Sequence, residues 1–317
     1  MARTRRIDVH FHIIPQFYQD AVRAAGLGPA RRAGYPAYSP ELALEVMDAN
    51  DIEIAITSVA QPGVQFAAPR EAGTLARKLN EYAADLIARW RKRFGAFAIV
   101  PMRRAEDAIT EIEYSIDVLN FQGVCLFASY GEKFLGDQEF DPILDVLNRR
   151  AAVVFIHPTL HPSSRTLDLP WPAFVMEYLF DTTRAAANLL LSGATERFPD
   201  IKFILAHAGG TLPYFAWRLG STPMIDPTTP QWPREKFLAG LRHFWYDNAL
   251  SCGRTTMGAL KTVADPGKIV FGSDWPFVPP SLVAEEIRTH TEPGVHTEAE
   301  RVAIDRLNAQ KLFPLLE

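Results

Sequence analysis

Near its N-terminus the chain reads Arg6-Ile-Asp-Val-His-Phe-His-Ile-Ile-Pro15, a short apolar run that holds two histidines one residue apart. Alternate residues of a β-strand point to the same side, so the imidazoles of His10 and His12 would project together from one strand end. Such a pair is how many metal sites begin. The same pattern also fits two unrelated histidines in a turn, and this segment alone does not decide between the two interpretations.

Further apolar runs, rich in valine, isoleucine and phenylalanine, predict strands that are buried on both faces. Together with residues 7–10 they span residues 52–58, 94–100, 123–127, 153–157, 202–207, 244–247 and 269–273. Between them lie longer segments with helical periodicity. One repeats apolar residues every three or four positions from Leu75 to Trp90, and another begins with the helix-start signal Ser39-Pro40-Glu41. Residues 171–198 predict a long helix or a broken pair.

Eight strands that alternate with helices predict an α/β fold of the (β/α)8 TIM-barrel type, with an open doubly wound sheet as the alternative. A chain of 317 residues fits one such barrel. No linker or internal repeat divides residues 1–317, so we expect a single domain. Two segments rich in proline, glycine and tyrosine, residues 13–38 and 220–240, predict insertion loops over the C-terminal face of the barrel.

The composition argues against several classes of function. The formal net charge of −4 predicts neither nucleic acid nor an anionic membrane as a partner. No apolar run approaches the roughly 20 residues that a membrane-spanning helix needs. The two cysteines, Cys125 and Cys252, lie far apart in apolar surroundings, and we expect buried free thiols in a reduced, cytoplasmic setting.

Polar residues occur at the ends of four predicted strands. In a (β/α)8 barrel the reactive side chains lie at the C-terminal strand ends. Here those ends carry His10 and His12 at the first strand, His157 at the fifth, His207 at the sixth and Asp274 at the eighth. For any single residue a place in the core is the simpler explanation, but their common position predicts one shared site.

Three imidazoles and a carboxylate suit zinc best, with manganese, iron or magnesium as alternatives. We assign one divalent metal ion to His10, His12, His157 and Asp274. His207 is either a fifth ligand or a free acid–base group. Asp8, two residues before His10 and predicted on the same face, is a ligand, a support for a ligand, or a charge at the start of the strand.

Four motifs carry a resemblance to a known family. They are Asp8-Val-His-Phe-His12, Ile156-His-Pro158, Leu205-Ala-His-Ala-Gly-Gly-Thr-Leu-Pro213 and Phe271-Gly-Ser-Asp-Trp-Pro-Phe277. The set resembles the amidohydrolase superfamily, and more closely the aminocarboxymuconate semialdehyde decarboxylase family. The resemblance spans the chain in order, as far as Asn308-Ala-Gln-Lys-Leu-Phe313. Within that family, Leu126-Phe-Ala-Ser-Tyr-Gly131 and Thr182-Thr-Arg-Ala185 are similar to members that act on 6-methylsalicylate.

The resemblance implies a metal-dependent, non-oxidative decarboxylase of a small aromatic carboxylic acid of the hydroxybenzoate type, such as 6-methylsalicylate, with release of CO2. It implies the same four ligands and an acid–base role for His207. It also implies a homodimer or a dimer-based oligomer, in which Arg218 reaches the substrate carboxylate of the neighbouring subunit. A surface arginine on a helix is the alternative reading of Arg218.

This chain departs from the patterns of some relatives in two respects. Asp8 and Gly210 stand where some aromatic-acid decarboxylases of the family carry glutamates, so a His–Glu acid–base dyad is absent. The predicted strand at residues 123–127 lacks the lysine that two-metal hydrolases of the superfamily often use. A single metal ion is therefore the better prediction.

Loss of CO2 from an aromatic acid requires an electron sink, which protonation of the ring carbon would supply. Asp274 is the first candidate for the proton donor and His207 the second. An apolar slot for the ring is predicted from Phe11, Trp171, Trp275 and Phe277, although each also suits the core. The alternative function is a metal-dependent hydrolase, a lactonase or amidohydrolase of a small cyclic substrate, which the same barrel would also serve. A non-catalytic binding protein fits the intact ligand set less well.

Overall fold

Eight parallel strands form the centre of the molecule, which is described here from a computed structural model covering residues 5–29, 33–167 and 169–314. The strands are β1 Arg6–His12, β2 Ile52–Ser58, β3 Phe94–Ile99, β4 Gly123–Phe127, β5 Val153–His157, β6 Lys202–Leu205, β7 Trp245–Asp247 and β8 Ile269–Val270. Each pairs in parallel with the next one along the chain. The segment after β8 closes the ring, because Val9 donates to the carbonyl of Phe271 at 2.9 Å and Asp274 donates to that of His10 at 2.7 Å. The predicted (β/α)8 barrel is confirmed.

Helices surround the barrel and follow most strands. They are α1 Gln16–Ala24, α2 Pro40–Ala49, α3 Pro69–Arg89, α4 Ala105–Glu113, α5 Asp141–Arg149, α6 Phe174–Leu191, α7 Ala194–Arg197, α8 Leu212–Gly220, α9 Thr222–Ile225, α10 Arg234–His243, α11 Arg254–Val263, α12 Pro280–His290, α13 Glu298–Val302 and α14 Asn308–Leu312. The predicted start of α2 is confirmed, since the Ser39 hydroxyl accepts the N–H of Leu42 at 3.2 Å. Helix α3 buries alanines and leucines at helical spacing against the barrel.

The barrel interior is filled by side chains from all eight strands. This cluster includes Ile7, Val9, Ile54, Ile56, Phe97, Cys125, Val153, Phe155, Ile204, Trp245 and Val270, and the last helix adds Ala309 and Leu312. A second, larger cluster lies between the barrel and the helices. The interior is therefore a packed core, and the strand ends are left as the place for a site.

Strand β1 has an irregular register over its polar residues. Its pairing with β2 shifts between Asp8 and Phe11. As a result Val9 packs in the interior cluster, whereas Phe11, two residues later, packs in the outer cluster. The carboxylate of Asp8 accepts the backbone N–H of His10 at 3.0 Å within this segment. The strict alternation that predicted Asp8 on the same face as His10 therefore does not hold here.

Several boundaries differ from those predicted. Residues 13–38 and 220–240 were expected to be loops, but they contain α1, α9 and most of α10. Proline concealed two of these helices, because it stands in the first turn of α9 and directly before α10, where helices tolerate it. Strands β6 and β8 end earlier than predicted. Residues 171–198 form the broken pair, with Gly193 in the left-handed region (φ 73°) between α6 and α7.

Two further predictions concern the whole chain. Cys125 and Cys252 are buried and make no disulfide, as predicted. Within the described ranges, no helix combines the length and the apolar character that crossing a bilayer requires.

Candidate metal centre and adjoining cavity

Four buried side chains from three strand ends meet at the C-terminal face of the barrel. The ligand atoms of His10, His12, His157 and Asp274 all lie within 4.8 Å of one another. The Asp274 carboxylate oxygen Oδ1 is 3.0 Å from Nε2 of His12 and 3.4 Å from Nε2 of His10. The structure thus brings together the four residues that the sequence assigned to a metal ion.

Each of the three imidazoles is held through its other ring nitrogen. Nδ1 of His10 lies 2.8 Å from Asp247 Oδ2, Nδ1 of His12 lies 3.0 Å from the Ser58 hydroxyl, and Nδ1 of His157 lies 2.7 Å from the carbonyl oxygen of Pro158. The Nε2 atoms of His10 and His12 are buried and make no well-formed hydrogen bond. Buried, unpaired nitrogens beside a carboxylate fit a divalent metal ion, which would satisfy them together.

Asp247 is a functional residue that the sequence reasoning missed. Its Oδ2 faces His10, while its Oδ1 accepts the backbone N–H groups of His207 at 2.9 Å and Ala249 at 3.0 Å. Its side chain is fully buried. The sequence did indicate this residue, because Asp247 lies at the end of a predicted strand, as the assigned ligands do. The carboxylate joins the ends of β1, β6 and β7 around one imidazole.

Two site residues have left-handed backbone conformations. His207 has φ 56° and Asp274 has φ 57°, values that cost a non-glycine residue energy and are common at functional sites. The hydrogen bond from the His207 N–H group to Asp247 stabilises the left-handed conformation of His207. For Asp274, its own N–H donates to His10 and its carbonyl accepts from Val278 at 3.0 Å. The backbone therefore directs both side chains toward the cluster, where His207 Nε2 lies 3.6 Å from Asp274 Oδ2.

Burial and mutual charge perturb these groups strongly. Burial would lower the pKa of His10, but the carboxylates of Asp247 and Asp274 outweigh it and raise this pKa to about 10. Burial lowers the pKa of His12, and burial with the neighbouring imidazoles lowers the pKa of His157 well below its usual value. For Asp274, burial is outweighed by the histidines, which hold its pKa well below the usual range. An ionised carboxylate beside the neutral imidazoles of His12 and His157 suits a cation, which on binding would replace the proton that His10 otherwise holds.

An apolar cavity of about 310 Å³ opens beside the cluster. His157, His207 and Asp274 line one side, and Gln61 and Tyr178 add polar groups to the wall. The remaining wall is formed by Ala60, Phe174, Val175, Leu179, Leu250, Phe277 and Val278. No lysine or arginine is among the described lining residues. A small aromatic molecule fits a cavity of this size and character.

The predicted aromatic slot differs from this wall. Of its four members, Phe277 lines the cavity. Phe11 and Trp275 instead stack on each other in the core, with ring centroids 4.7 Å apart, because the register shift in β1 turns Phe11 outward. Trp171 is 44% exposed before α6 and lies outside the wall. The sequence showed which aromatic residues were near the motifs but not which way they face.

Asp8 and Arg218 lie outside the cluster. Asp8 Oδ1 accepts the N–H groups of His10 and Ser273, and burial raises the pKa of this carboxyl to about 7. It thus ties β1 to the segment after β8, in keeping with the supporting role that was one of three predicted for it. Arg218 is exposed on α8 and is not part of the cavity wall of its own chain.

Gly210 is required by the backbone. Its φ is +65°, and a Cβ atom there would lie 2.1 Å from the carbonyl oxygen of Leu179. No side chain can be accommodated at this position without movement of α6. A glutamate at residue 210 would therefore clash with α6 in this backbone conformation, and His207 lacks a dyad partner from that position.

The barrel and its donor set define a class of protein, and comparison with known proteins identifies it. The amidohydrolase family model matches residues 7–315, and the chain belongs to this family. Among relatives, the chain is 37% identical to 6-methylsalicylic acid decarboxylase acuB of Aspergillus aculeatus, over 98% of this chain and 97% of that protein. It is 37% identical to decarboxylase yanB of Aspergillus niger, over 98% and 87%. A crystal structure of an amidohydrolase II superimposes with a TM-score of 0.88 at 24% identity, over 97% and 99% of the two chains.

Proposed function

We propose that this protein is a metal-dependent, non-oxidative decarboxylase of a small hydroxybenzoate-type acid, with 6-methylsalicylate as the first substrate to test. The observation that carries the proposal is a cluster of three imidazoles and one carboxylate beside an apolar cavity of about 310 Å³. The similarity to a 6-methylsalicylic acid decarboxylase over nearly the full length supports the substrate class.

We propose His10, His12, His157 and Asp274 as the ligands of one divalent metal ion. Zinc is our first choice because imidazole and carboxylate donors suit it, and manganese is the alternative to test. When bound, such an ion would orient the substrate by its oxygen atoms and screen their negative charge. Metal analysis of the purified protein decides between the two ions.

The proton for the ring carbon is assigned to Asp274, with His207 as its partner. Oδ2 of Asp274 faces the Nε2 atom of His207 at 3.6 Å, and both residues line the cavity. A proton that this pair takes up can therefore be delivered to the ring carbon that bears the carboxylate, and the ring becomes aromatic again when the bond to the carboxylate breaks and CO2 leaves. Nδ1 of His207 has no hydrogen-bond partner among the described residues, so this imidazole nitrogen is not engaged by a described protein group. The apolar wall keeps water away from the dearomatised ring.

No lysine or arginine is among the described residues that line the cavity, which supports a contribution to carboxylate binding from a second subunit. Arg218 lies on α8 with Tyr214 and Trp217, which are 84% and 69% exposed. Large exposed aromatic residues beside an arginine are typical of a protein–protein interface. We therefore propose a homodimer in which Arg218 reaches the substrate carboxylate in the partner's cavity.

Subunit mixing tests this dimer. Arg218→Ala and Asp274→Asn should each be inactive, but an equimolar exchanged mixture should recover about a quarter of wild-type activity, because half of the chains pair as heterodimers with one intact site each. No recovery after verified exchange, or a monomer by light scattering, would contradict the dimer proposal.

The function itself is tested by product analysis. The protein, loaded with zinc or manganese, is incubated with 6-methylsalicylate, salicylate and 2,6-dihydroxybenzoate. Release of CO2 and 3-methylphenol from 6-methylsalicylate is the expected result. Hydrolysis of a lactone or amide with no CO2 from any acid would instead favour the hydrolase.

A further inference from the structure

A polar pair stands in the apolar part of the cavity wall, and the metal cluster does not use it. The hydroxyl group of Tyr178 donates to Oε1 of Gln61 at 2.9 Å. Gln61 follows β2 and Tyr178 lies in the first turns of α6, so the pair bridges two separate segments at the cavity. The Tyr178 ring lies 6.1 Å from that of His157, which places the pair next to the proposed ligands.

The pair presents one donor and one acceptor to the cavity. Because the Tyr178 O–H group donates its hydrogen bond to Gln61, a lone pair on its oxygen remains free to accept from an incoming O–H group. The Gln61 side-chain nitrogen carries two N–H groups and makes no hydrogen bond within the described part of the chain. Burial raises the pKa of Tyr178, so its hydroxyl group keeps its proton and remains the donor to Gln61. A hydroxyl group, which both donates and accepts, matches this edge, whereas a carboxylate only accepts and a methyl group does neither.

The surrounding wall adds a second constraint. Apart from the metal cluster, His207 and this pair, the described lining residues are all apolar. A second hydroxyl on the ring would lose its water without finding a partner there, which is costly. A methyl group or hydrogen would be accepted in its place.

We propose that Gln61 and Tyr178 form a subsite for a single ring hydroxyl, and that they select hydroxybenzoates whose other ring substituents are apolar. The inference rests on the proposed function for the identity of the ligand. In this subsite Gln61 contacts the substrate through its N–H group, and Tyr178 both accepts from the substrate and positions Gln61.

Binding of two matched, unreactive analogues to the metal-loaded protein tests the subsite. In 3-methyl-2-nitrophenol a nitro group replaces the carboxylate of 6-methylsalicylate, so no CO2 can leave, and 2-nitrotoluene is the same molecule without the hydroxyl. By titration calorimetry, Gln61→Leu and Tyr178→Phe should each weaken binding of the nitrophenol about five- to tenfold, and change binding of 2-nitrotoluene less than about twofold.

Tyr82→Phe is the matched control, because this tyrosine on α3 bonds Tyr38 at 3.4 Å and lies outside the cavity wall. It should leave both affinities unchanged. Equal weakening of both analogues in the subsite variants, or no discrimination between the analogues by the wild type, would overturn the proposal. If the two subsite variants weaken binding of the nitrophenol alone but the wild type releases no CO2 from any acid, the subsite stands and the proposed decarboxylation fails.

Discussion

The imidazoles of the candidate metal centre are organised by hydrogen bonds behind them. His10, His12 and His157 each use Nδ1 on a different kind of partner: a carboxylate, a hydroxyl and a backbone carbonyl. With Nδ1 engaged, each ring orientation is fixed and Nε2 is left for a cation. A bound metal ion would offset the cost of burying these nitrogens, so we expect site occupancy and stability to be coupled.

Asp274 and His207 are expected to differ in metal binding but not in activity. Asp274→Asn and His207→Ala should both abolish decarboxylation, since each removes one member of the proposed proton pair. Only Asp274→Asn should lower the metal content, because it removes an ionised donor from the cluster. Mass spectrometric metal analysis beside the CO2 assay measures both effects, and retained activity in either variant would break the role assignment.

Asp247 is expected to control metal affinity without touching the metal. Asp247→Asn should weaken metal binding about 10- to 100-fold, because His10 loses the carboxylate that orients its ring and makes its Nε2 a stronger donor to a cation. Competition with a chromophoric chelator measures the affinity. Asp305→Asn is the control, since it removes a buried carboxylate near the opposite end of β1. Equal loss of affinity in the two variants would indicate a general structural effect instead.

At the scale of the elements, the turn between β6 and α8 is built around close backbone approach. Gly210→Ala should destabilise the protein by at least about 2 kcal/mol, because the residue has positive φ and its new methyl group would meet Leu179. Gly258→Ala is the matched control at an exposed position of α11, where nothing lies within 4 Å of the added atom. It should stabilise by about 0.5–1 kcal/mol. Urea unfolding measures both, and equal effects would contradict the steric account.

A buried ion pair joins the first strand to the C-terminal segment. Arg6 Nε lies 3.1 Å from Asp305 Oδ1, and Nε2 of His290 at the end of α12 lies 3.3 Å from the same oxygen. Asp305→Asn should destabilise by about 3 kcal/mol, because it leaves the Arg6 charge buried and unpaired. Glu285→Gln, which breaks the exposed pair with Arg288, should change the unfolding free energy by less than about 0.5 kcal/mol. A small effect at Asp305 would show that water reaches Arg6.

For the whole molecule, His296 is expected to contribute to acid sensitivity. Burial and then the neighbouring charges of His290 and Lys261 lower its pKa to about 4, from the ordinary value of 6.5. The unfolded chain therefore takes up the proton first, and stability is lost as the pH falls from about 6.5 to 4. After allowance for partial solvent screening, the loss is about 2 kcal/mol.

The test compares the wild type with His296→Gln in the same metal-loaded state. Between pH 7 and pH 4.5 the wild type should lose about 2 kcal/mol more of its unfolding free energy than the variant. The difference between the two curves removes the contributions of the metal site and of all shared groups. Parallel curves would exclude His296 as a source of the acid sensitivity.

Much of this architecture could be predicted without coordinates. The eight strands are apolar enough to be recognised individually, and parallel barrel strands all end at one face. Residues as distant in the chain as His12, His157 and Asp274 were therefore expected to meet, and they do. The same rule, applied to β7, would also have found Asp247. These predictions succeed because each depends on local composition and on one general property of the barrel.

What the sequence determined by itself was the barrel and the set of donors at its strand ends. The tertiary structure alone decided the side of β1 that Asp8 and Phe11 face, and it brought Gln61 and Tyr178 to one cavity. The physical reason is the range of the interactions involved. Strand composition and strand ends follow from neighbouring residues, whereas a register shift and a cavity wall depend on contacts between segments far apart in the chain.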